Sequence, residues 1–233
     1  MRIVSVINYK GGVGKTSLTA NLGAELAWRG KRVLLIDLDA QASLTFSFIK
    51  PDEWVEKFEK KNTIKAWFDE QNSKNPVTLA SLIQHPSTVN SWLSGRGSLD
   101  IIYSHLGLIN VDLELATNLA GATLRQSKKN FIEVHRKLTE GLAELTESLE
   151  QPYDVVLIDC PPNFNIVTKT AIIASDHILV PTRPDELSTL GISYLIRSIN
   201  ELVENYNDYI KIDSFDEDAF ISPAIMGIVY PVH

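Results

Sequence analysis

A glycine-rich loop near the N-terminus carries the first residues that could do chemistry. It reads Lys10-Gly11-Gly12-Val13-Gly14-Lys15-Thr16-Ser17 and directly follows a short apolar run. Glycines after a strand let backbone N–H groups turn toward one point, and a helix that begins in the loop adds the positive end of its dipole. Such a loop binds phosphate. We expect Lys15 to reach the terminal phosphates of a nucleotide and the Thr16 hydroxyl to ligate Mg²⁺.

The loop departs from the standard P-loop pattern, G-x-x-x-x-G-K-[ST], at its first position. Tyr9 stands there instead of glycine, and the run from Lys10 to Gly12 adds two glycines and an extra lysine. The dinucleotide-binding pattern G-x-G-x-x-G fits less well, because Gly12 and Gly14 are followed by Ser17. The composition of the loop therefore favours a phosphate site over a glycine turn with incidental lysines.

Three aspartates stand at the ends of two other apolar runs. Asp37 and Asp39 follow one run, and Asp159 ends another. In an open α/β sheet the ligand crevice lies at the carboxyl ends of the strands, so we expect all three carboxylates to face the loop. We assign Asp159 to the Mg²⁺ shell through water and Asp37 to Thr16 or the metal. Asp39 is assigned to the water that attacks the triphosphate.

The elements that position these residues indicate an α/β fold. The run at 3–7, the loop, a helix with apolar residues at helical spacing up to Gly30, and a second run at 33–36 form a βαβ unit with parallel strands. Further apolar runs occur at 99–102, 155–158, 178–180 and 225–229. We predict a doubly wound, mostly parallel sheet with helices on both faces.

Two longer helices and one insertion complete the predicted organisation. A stripe of apolar residues predicts a helix packed on the sheet: Phe131, Val134, Leu138, Leu142, Leu145 and Leu149. A second helix is predicted at about 187–205, and the segment at about 106–115 is predicted to be the exit loop of a strand. Residues of about 50–98 are predicted to be an insertion of helices and loops without a separate core. The whole chain, 1–233, is then a single domain.

Composition excludes several classes of protein. The chain has 233 residues, of which 44% are hydrophobic and 22% charged, which is typical of a folded globular domain. A lone cysteine, Cys160, excludes an intramolecular disulfide and a site built from several thiolates of one chain. The lone cysteine also predicts a reducing, cytoplasmic compartment. The apolar run at the N-terminus is too short for the core of a signal peptide, and no stretch has the length of a membrane span. The net charge of −7 by itself weighs against binding to nucleic acid.

These motifs resemble those of the ParA/MinD family of P-loop ATPases. The loop from Lys10 to Thr16 is similar to the deviant Walker A motif of that family, the segment 34–41 resembles its second aspartate motif, and the segment 156–162 resembles its Walker B strand and switch. The resemblance continues to Leu190-Gly191 and leaves out residues 50–98. Within the family the sequence is most similar to ParA partition proteins without an N-terminal helix-turn-helix domain.

The resemblance implies an ATPase that uses ATP and Mg²⁺ and works as a dimerisation switch. Two subunits close over two ATP molecules, and Lys10 of each reaches the phosphate in the other, where it supplies charge as an arginine finger does. Lys10, Lys15 and Asp39 are then the catalytic residues, and the metal is held by Thr16, Asp37 and Asp159.

Partners and location follow from the same resemblance. The ATP-bound homodimer is expected to bind DNA without sequence preference, at the nucleoid, and a ParB-like or other cargo adaptor is expected to stimulate hydrolysis. The alternative is a MinD-like ATPase that binds membrane through a C-terminal amphipathic helix. A scaffold that binds nucleotide without hydrolysis is disfavoured, because Lys10, Asp37, Asp39 and Asp159 occur together.

The adenine pocket is expected from the resemblance near the loops that follow the last strands. These loops are residues 182–185 and 230–233, with Pro231 among the residues that contact the base. Family members continue beyond a strand equivalent to 225–229, so we expect either a shortened chain or an unusually small member.

Overall fold

A parallel sheet forms the centre of the computed structural model. In the residues that the structure describes, 1–70, 76–213 and 219–230, six strands form this sheet in the order β3-β2-β4-β1-β5-β6. All neighbouring strands are parallel. Their bounds are β1 (Arg2–Val6), β2 (Arg32–Asp37), β3 (Ser98–Ile102), β4 (Val155–Asp159), β5 (His177–Pro181) and β6 (Ala224–Val229). The predicted α/β fold with a parallel sheet is confirmed.

Helices cover both faces of the sheet. On one face lie α1 (Lys15–Trp28), α2 (Pro51–Lys57) and α4 (Ser87–Leu93), and on the other lie α3 (Ile64–Glu70), α5 (Leu108–Asn118), α6 (Leu124–Ser148), α7 (Ile166–Ala174) and α8 (Glu186–Asp213). Short 3₁₀ turns occur at Thr45–Ser47 and Ala80–Leu82. In the described parts of the chain, no helix has the length and apolar character that crossing a bilayer needs.

The second strand shows why a run of apolar residues becomes a central strand. Successive side chains of a strand point to opposite faces. Leu34 and Ile36 belong to the core layer on one face of the sheet, and Val33 and Leu35 belong to the layer on the other face. Because both faces are covered by helices, every position after Arg32 is buried, and residues 33–36 form a continuous apolar run.

The segment predicted to be an exit loop after β3 is a helix instead. Helix α5 covers most of the predicted loop of about 106–115, and its buried residues are Leu108, Val111 and Leu115. These residues recur at intervals of three and four, the period of a helix packed on one side. The prediction of a loop was wrong, because the helical spacing of these apolar residues was interpreted as the end of a strand and the loop after it. Helix α6 begins at Leu124, seven residues before the predicted apolar stripe, and α8 continues to Asp213, beyond the predicted end at about 205.

The segment 50–98 packs against both faces of the sheet. Trp54 of α2 lies in one core layer, and Trp67 of α3 lies in the other. Trp67 fits closely against α6, since a Cβ atom added to Gly141 would lie 2.6 Å from Cζ2 of the Trp67 ring. The buried residues of this segment are therefore part of the common core.

The contact between Trp67 and Gly141 can be tested by Gly141→Val. The ring of Trp67 is buried and cannot move aside freely, so we expect the free energy of unfolding to fall by about 1 to 3 kcal/mol. Ala143→Val is the matched control, because Ala143 is exposed on the same helix. This variant loses only the helix propensity that a β-branched residue lacks. Urea denaturation measures both, and equal losses in the two variants would contradict the close packing.

A buried histidine in α6 adds a pH dependence to stability. His135 is fully buried, and its Nδ1 lies 2.8 Å from the carbonyl oxygen of Phe131, to which it donates. Its Nε2 is also buried and has no hydrogen-bond partner within the described residues. Burial lowers the pKa of His135 to about 4. The ring therefore stays neutral in the folded chain at pH values where an exposed histidine is protonated.

We expect the wild-type chain to lose stability as the pH falls from 6.5 to about 4, the window between the ordinary pKa and that of folded His135. In this window the unfolded chain binds the proton and the folded chain does not, so acid favours unfolding. The two pKa values differ by an amount equivalent to about 3 kcal/mol. His135→Gln removes this contribution, and urea denaturation across the window should show a flatter profile. An unchanged profile would show that His135 is not the cause.

Candidate functional site

The glycine loop joins the first strand to the first helix. Strand β1 ends at Val6, and α1 begins at Lys15 with Gly14 as its N-cap. Gly12 has φ of 69° and Gly14 has φ of 87°, which is the left-handed region that favours glycine. A side chain at either position would be strained, so these two glycines are required by the turn itself.

A cavity opens between this loop and the ends of the neighbouring strands. Its volume is about 580 Å³, which is within the range of small-molecule sites. It is lined by Gly11, Gly12, Gly14, Lys15, Thr16, Ser17, Asp39, Gln41, Ser43, Ser47 and Pro162. The structure therefore brings most of the predicted loop residues together with Asp39.

Lys15 is the cation of this cavity. Its side chain starts at the first residue of α1 and is largely buried, with 7% of the residue exposed. The Nζ atom donates to the backbone carbonyl oxygen of Lys10 at 3.3 Å. Burial lowers the pKa of Lys15, while the charges of Asp159 and Asp39 act in the opposite direction. A poorly hydrated ammonium that lines a cavity can bind an anion such as phosphate.

Asp159 connects the Walker-type loop to the centre of the sheet. It is the last residue of β4, and its Oδ2 accepts a hydrogen bond from the Thr16 hydroxyl at 2.7 Å. The Thr19 hydroxyl, one turn along α1, lies 3.5 Å from Oδ1. Burial raises the pKa of Asp159, and the nearby charge of Asp39 acts in the same direction. A hydroxyl and a carboxylate at this distance are oxygen ligands of the kind that Mg²⁺ prefers.

Asp37 holds the segment after β2 in place. Its Oδ2 accepts hydrogen bonds from the backbone N–H of Thr45 at 2.8 Å and from the Thr45 hydroxyl at 2.7 Å, and its Oδ1 accepts from the N–H of Asp39. The Thr45 hydroxyl also accepts from the N–H of Ser104, which follows β3. Burial, and then the charge of Asp159, raise the pKa of Asp37.

We expected Asp37 to bind either Thr16 or the metal. The structure does not pair Asp37 with Thr16. Thr16 bonds to Asp159, while both oxygens of Asp37 bind groups of the segment that it stabilises. The physical reason is that residues 38–45 fold back over the end of β2 and bring Thr45 to the carboxylate. A role for Asp37 as a metal ligand stays a prediction.

Asp39 faces the cavity from the loop after β2. Its Oδ1 accepts from the N–H of Gln41 at 2.9 Å, and its backbone carbonyl accepts from the Ser104 hydroxyl at 2.7 Å. These bonds fix the carboxylate at the mouth of the cavity, where it lines the same space as Lys15 and Pro162. A carboxylate so placed can orient a water molecule and accept its proton.

Lys10 lies outside the cavity, although its neighbours in the loop line it. Its Nζ donates to Asp185 at 2.9 Å and to the Ser188 hydroxyl at 3.2 Å, at the start of α8. Arg183 contacts the same loop, because its Nη2 donates to the carbonyl oxygen of Gly12 at 2.7 Å. We did not predict these contacts of Asp185 and Arg183. The order of the strands would have indicated them, because both residues follow β5, and the carboxyl end of β5 lies beside that of β1.

The predicted adenine pocket is described only in part. Thr182 follows β5, and its N–H donates to the carbonyl oxygen of Val229 at 2.8 Å. Asn8 joins the loop to the same strand end by donating from Nδ2 to the carbonyl oxygen of Pro181 at 2.7 Å. Pro231, predicted to contact the base, lies outside the described residues together with the rest of 231–233.

Comparison with known proteins identifies a family. A family model described as an AAA domain (AAA_31) matches residues 1–212. The sequence is 31% identical over 212 residues to the chromosome partitioning protein ParA of Caulobacter vibrioides, covering 91% of this chain and 67% of that protein. It is 26% identical over 212 residues to the sporulation initiation inhibitor protein Soj of Bacillus subtilis, covering 91% of this chain and 70% of that protein.

A solved structure with the same fold comes from Mycobacterium smegmatis. It is the cobyrinic acid a,c-diamide synthase with a bound ATP analog and magnesium, with a TM-score of 0.65 and 24% identity over 98% of this chain and 74% of that chain. At this identity the similarity shows the fold alone. The family match over residues 1–212, the similarity to ParA and the geometry of the loop agree, and the chain belongs to the ParA/MinD family of P-loop ATPases with a deviant Walker A loop.

Proposed function

We propose that this protein is an ATP-dependent dimerisation switch that binds DNA without sequence preference in its ATP state. Hydrolysis stimulated by a ParB-like or other adaptor would then release it, and the cycle would serve partition or positioning of a cargo. The observation that carries the proposal is the arrangement of Lys15, Thr16, Asp39 and Asp159 around one glycine loop. The relative from Caulobacter vibrioides is described as a chromosome partitioning protein, which supports partition as the general role.

The residues of the cavity fit a nucleotide with Mg²⁺. The two glycines with positive φ leave the backbone of the loop open to a ligand, and the N-terminus of α1 points the same way. Thr16 and Asp159 would hold Mg²⁺, with Asp37 buried one strand away. When bound, the ion would spread the negative charge of the phosphate oxygens. The ATP analog and magnesium of the M. smegmatis structure support this fit.

Each charged residue then has one task in hydrolysis. Lys15 binds the terminal phosphates from within the cavity, where its loss of hydration strengthens the attraction to an anion. Asp39 orients the attacking water and accepts its proton. Lys10 is proposed to act in the partner subunit, and its side chain, 42% exposed, is accessible for that contact. The Pro161-Pro162 turn follows β4, and Pro162 lines the cavity, where it would sense the γ-phosphate.

The net charge of −7 constrains how DNA could bind. A chain of this charge is repelled by DNA at long range, so binding must come from a local basic surface that the dimer presents twice. Such binding depends steeply on salt, because each phosphate contact releases counterions. We propose that the protein resides in the cytoplasm and associates with the nucleoid only while ATP is bound.

Co-sedimentation with DNA of unrelated sequences tests the proposal. We expect binding with ATP but not with ADP or without nucleotide, with an association constant that falls steeply across a salt series. Lys15→Ala should lose ATP binding and therefore DNA binding. Lys31→Ala, which removes a lysine outside the cavity, is the matched control. Equal binding without nucleotide would contradict the switch, and ATP-dependent binding to anionic vesicles instead of DNA would favour the MinD-like alternative.

Asp39→Ala tests the hydrolytic role directly. We expect ATP binding and the ATP-dependent dimer to persist, while phosphate release falls by about 10²-fold or more, because the water is no longer oriented. Phosphate release and sedimentation velocity measure the two properties. Asp52→Ala, at an exposed acid in the first turn of α2, should leave both unchanged. Normal turnover in Asp39→Ala would exclude Asp39 as the residue that positions water.

A further inference from the structure

Asp112 is a carboxylate on the packed side of α5. It shares this side of the helix with Leu108 and Leu115, which are buried in the core. Its Oδ1 accepts hydrogen bonds from the backbone N–H groups of Ile166 at 2.8 Å and of Val167 at 3.3 Å. These two residues are the first of α7. A single carboxylate oxygen therefore joins α5 to the start of α7.

The N–H groups in the first turn of α7 are bound from two directions. Asn165 is the N-cap, and its side chain accepts from the N–H of Thr168 at 2.9 Å. The N–H groups of Ile166 and Val167 have no partner within the helix, and Asp112 accepts both. Ile166 and Val167 are buried, so water is a poor substitute for the carboxylate. A negative charge at this end also interacts favourably with the helix dipole.

The turn that leads into α7, residues 160–165, forms part of the nucleotide cavity. It follows directly after β4 and ends where Asp112 binds the helix. Pro162 of this turn lines the cavity together with Lys15 and Asp39. The end of β4 is one anchor of the turn, and the start of α7 is the other. A displacement of the start of α7 would therefore displace the wall of the cavity that Pro162 forms.

Packing between α5 and this turn is interrupted by a second cavity, of about 200 Å³. The cavity is lined by Leu108 and Ile109 of α5, by Pro162 of the turn and by Asp39, among others. Atoms on opposite sides of such a space have lost the close contacts that would hold them together. Hydrogen bonds to Asp112 bridge the same two elements at the edge of this space. They restrain the turn where packing does not.

We propose that Asp112 is a positioning residue for ATP hydrolysis: by binding the start of α7 it holds the Pro161-Pro162 turn in place against the γ-phosphate and the attacking water. The inference rests on the proposed function, which places ATP in the cavity. Asp112 acts on the reaction through the turn. The glycine loop and Lys15 bind the phosphates from another side, so Asp112 affects the chemical step more than it affects nucleotide binding.

Asp112→Ala tests the proposal, because it removes the acceptor of both N–H groups. We expect kcat for ATP hydrolysis to fall by about 10-fold to 100-fold, since a displacement of about 1 Å disturbs the reacting geometry. The KM for ATP should change by less than about twofold, since the glycine loop is unaltered. Asp112→Asn keeps an acceptor oxygen at the same place and should recover most of kcat. Steady-state phosphate release measures both constants.

Two control variants separate positioning from general effects. Glu114→Ala removes an exposed acid from the same helix and should leave kcat and KM unchanged. Gly141→Val lowers stability at the contact between α6 and Trp67, and it should leave kcat unchanged as long as the chain is folded. A loss of kcat in Gly141→Val as large as in Asp112→Ala would attribute the effect to stability and overturn the positioning role.

A second measurement needs no nucleotide. Hydrogen exchange followed by NMR should be about 10-fold faster, or more, at the N–H groups of Ile166 and Val167 in Asp112→Ala than in the wild-type chain, because these groups lose their acceptor. Exchange within β4 should be unchanged. In Glu114→Ala, exchange at the start of α7 should match that of the wild-type chain.

The outcomes distinguish the role of Asp112 from the proposed function. Unchanged exchange at Ile166 and Val167 in Asp112→Ala would show that Asp112 does not hold α7. Faster exchange with a normal kcat, or a rise in KM without a fall in kcat, would contradict a role in the chemical step. A wild-type chain that releases no phosphate from ATP would overturn the proposed function, while hydrogen exchange would still decide whether Asp112 restrains the turn.

Discussion

The alignment of three neighbouring strand ends is the constraint on which the site depends. In the parallel register Val6 of β1 lies beside Asp159 of β4, and Asp159 lies beside Asp37 of β2. The glycine loop leaves β1 at this level, so Thr16 meets Asp159 at 2.7 Å without any long-range adjustment. A shift of one residue in either pairing would turn the carboxylate to the other face of the sheet and remove it from the loop.

This alignment places like charges close together in a buried region. Burial raises the pKa values of Asp37 and Asp159. The charge of Asp159 also raises the pKa of Asp37, and the charge of Asp39 raises the pKa of Asp159. The hydrogen bonds from Thr45 and Thr16 and the ammonium of Lys15 offset part of this cost. A buried cluster of carboxylates with raised pKa values, next to a phosphate-binding loop, is typical of a functional site. The two hydrogen bonds of Thr45 to Asp37 also make the segment carrying Asp39 part of the rigid core.

Local features of the site were predictable, and those that depend on distant segments were not. The glycine loop, the strands at 3–7 and 33–36 and the strand-end aspartates are recognisable because each depends on neighbouring residues. Helix α5 was missed because a short series of apolar residues is compatible with a helix, a strand or a loop. Its packing against α7 and α3 is what makes it a helix. The bonds from Thr45 to Asp37 join residues eight apart through a turn whose shape the residue types do not specify.

The sequence alone determined the chemistry that this protein can carry. It supplied a phosphate-binding loop with two lysines, three carboxylates at strand ends and the apolar runs of a parallel sheet, because all of these are written in residue types and short spacings. Only the tertiary structure decided which carboxylate faces Thr16 and which acceptor holds Lys10. Asp159 lies 143 residues from Thr16, and Asp185 lies 175 residues from Lys10. Contacts over such separations are set by the order and register of strands and by the packing of α8, and no local pattern encodes them.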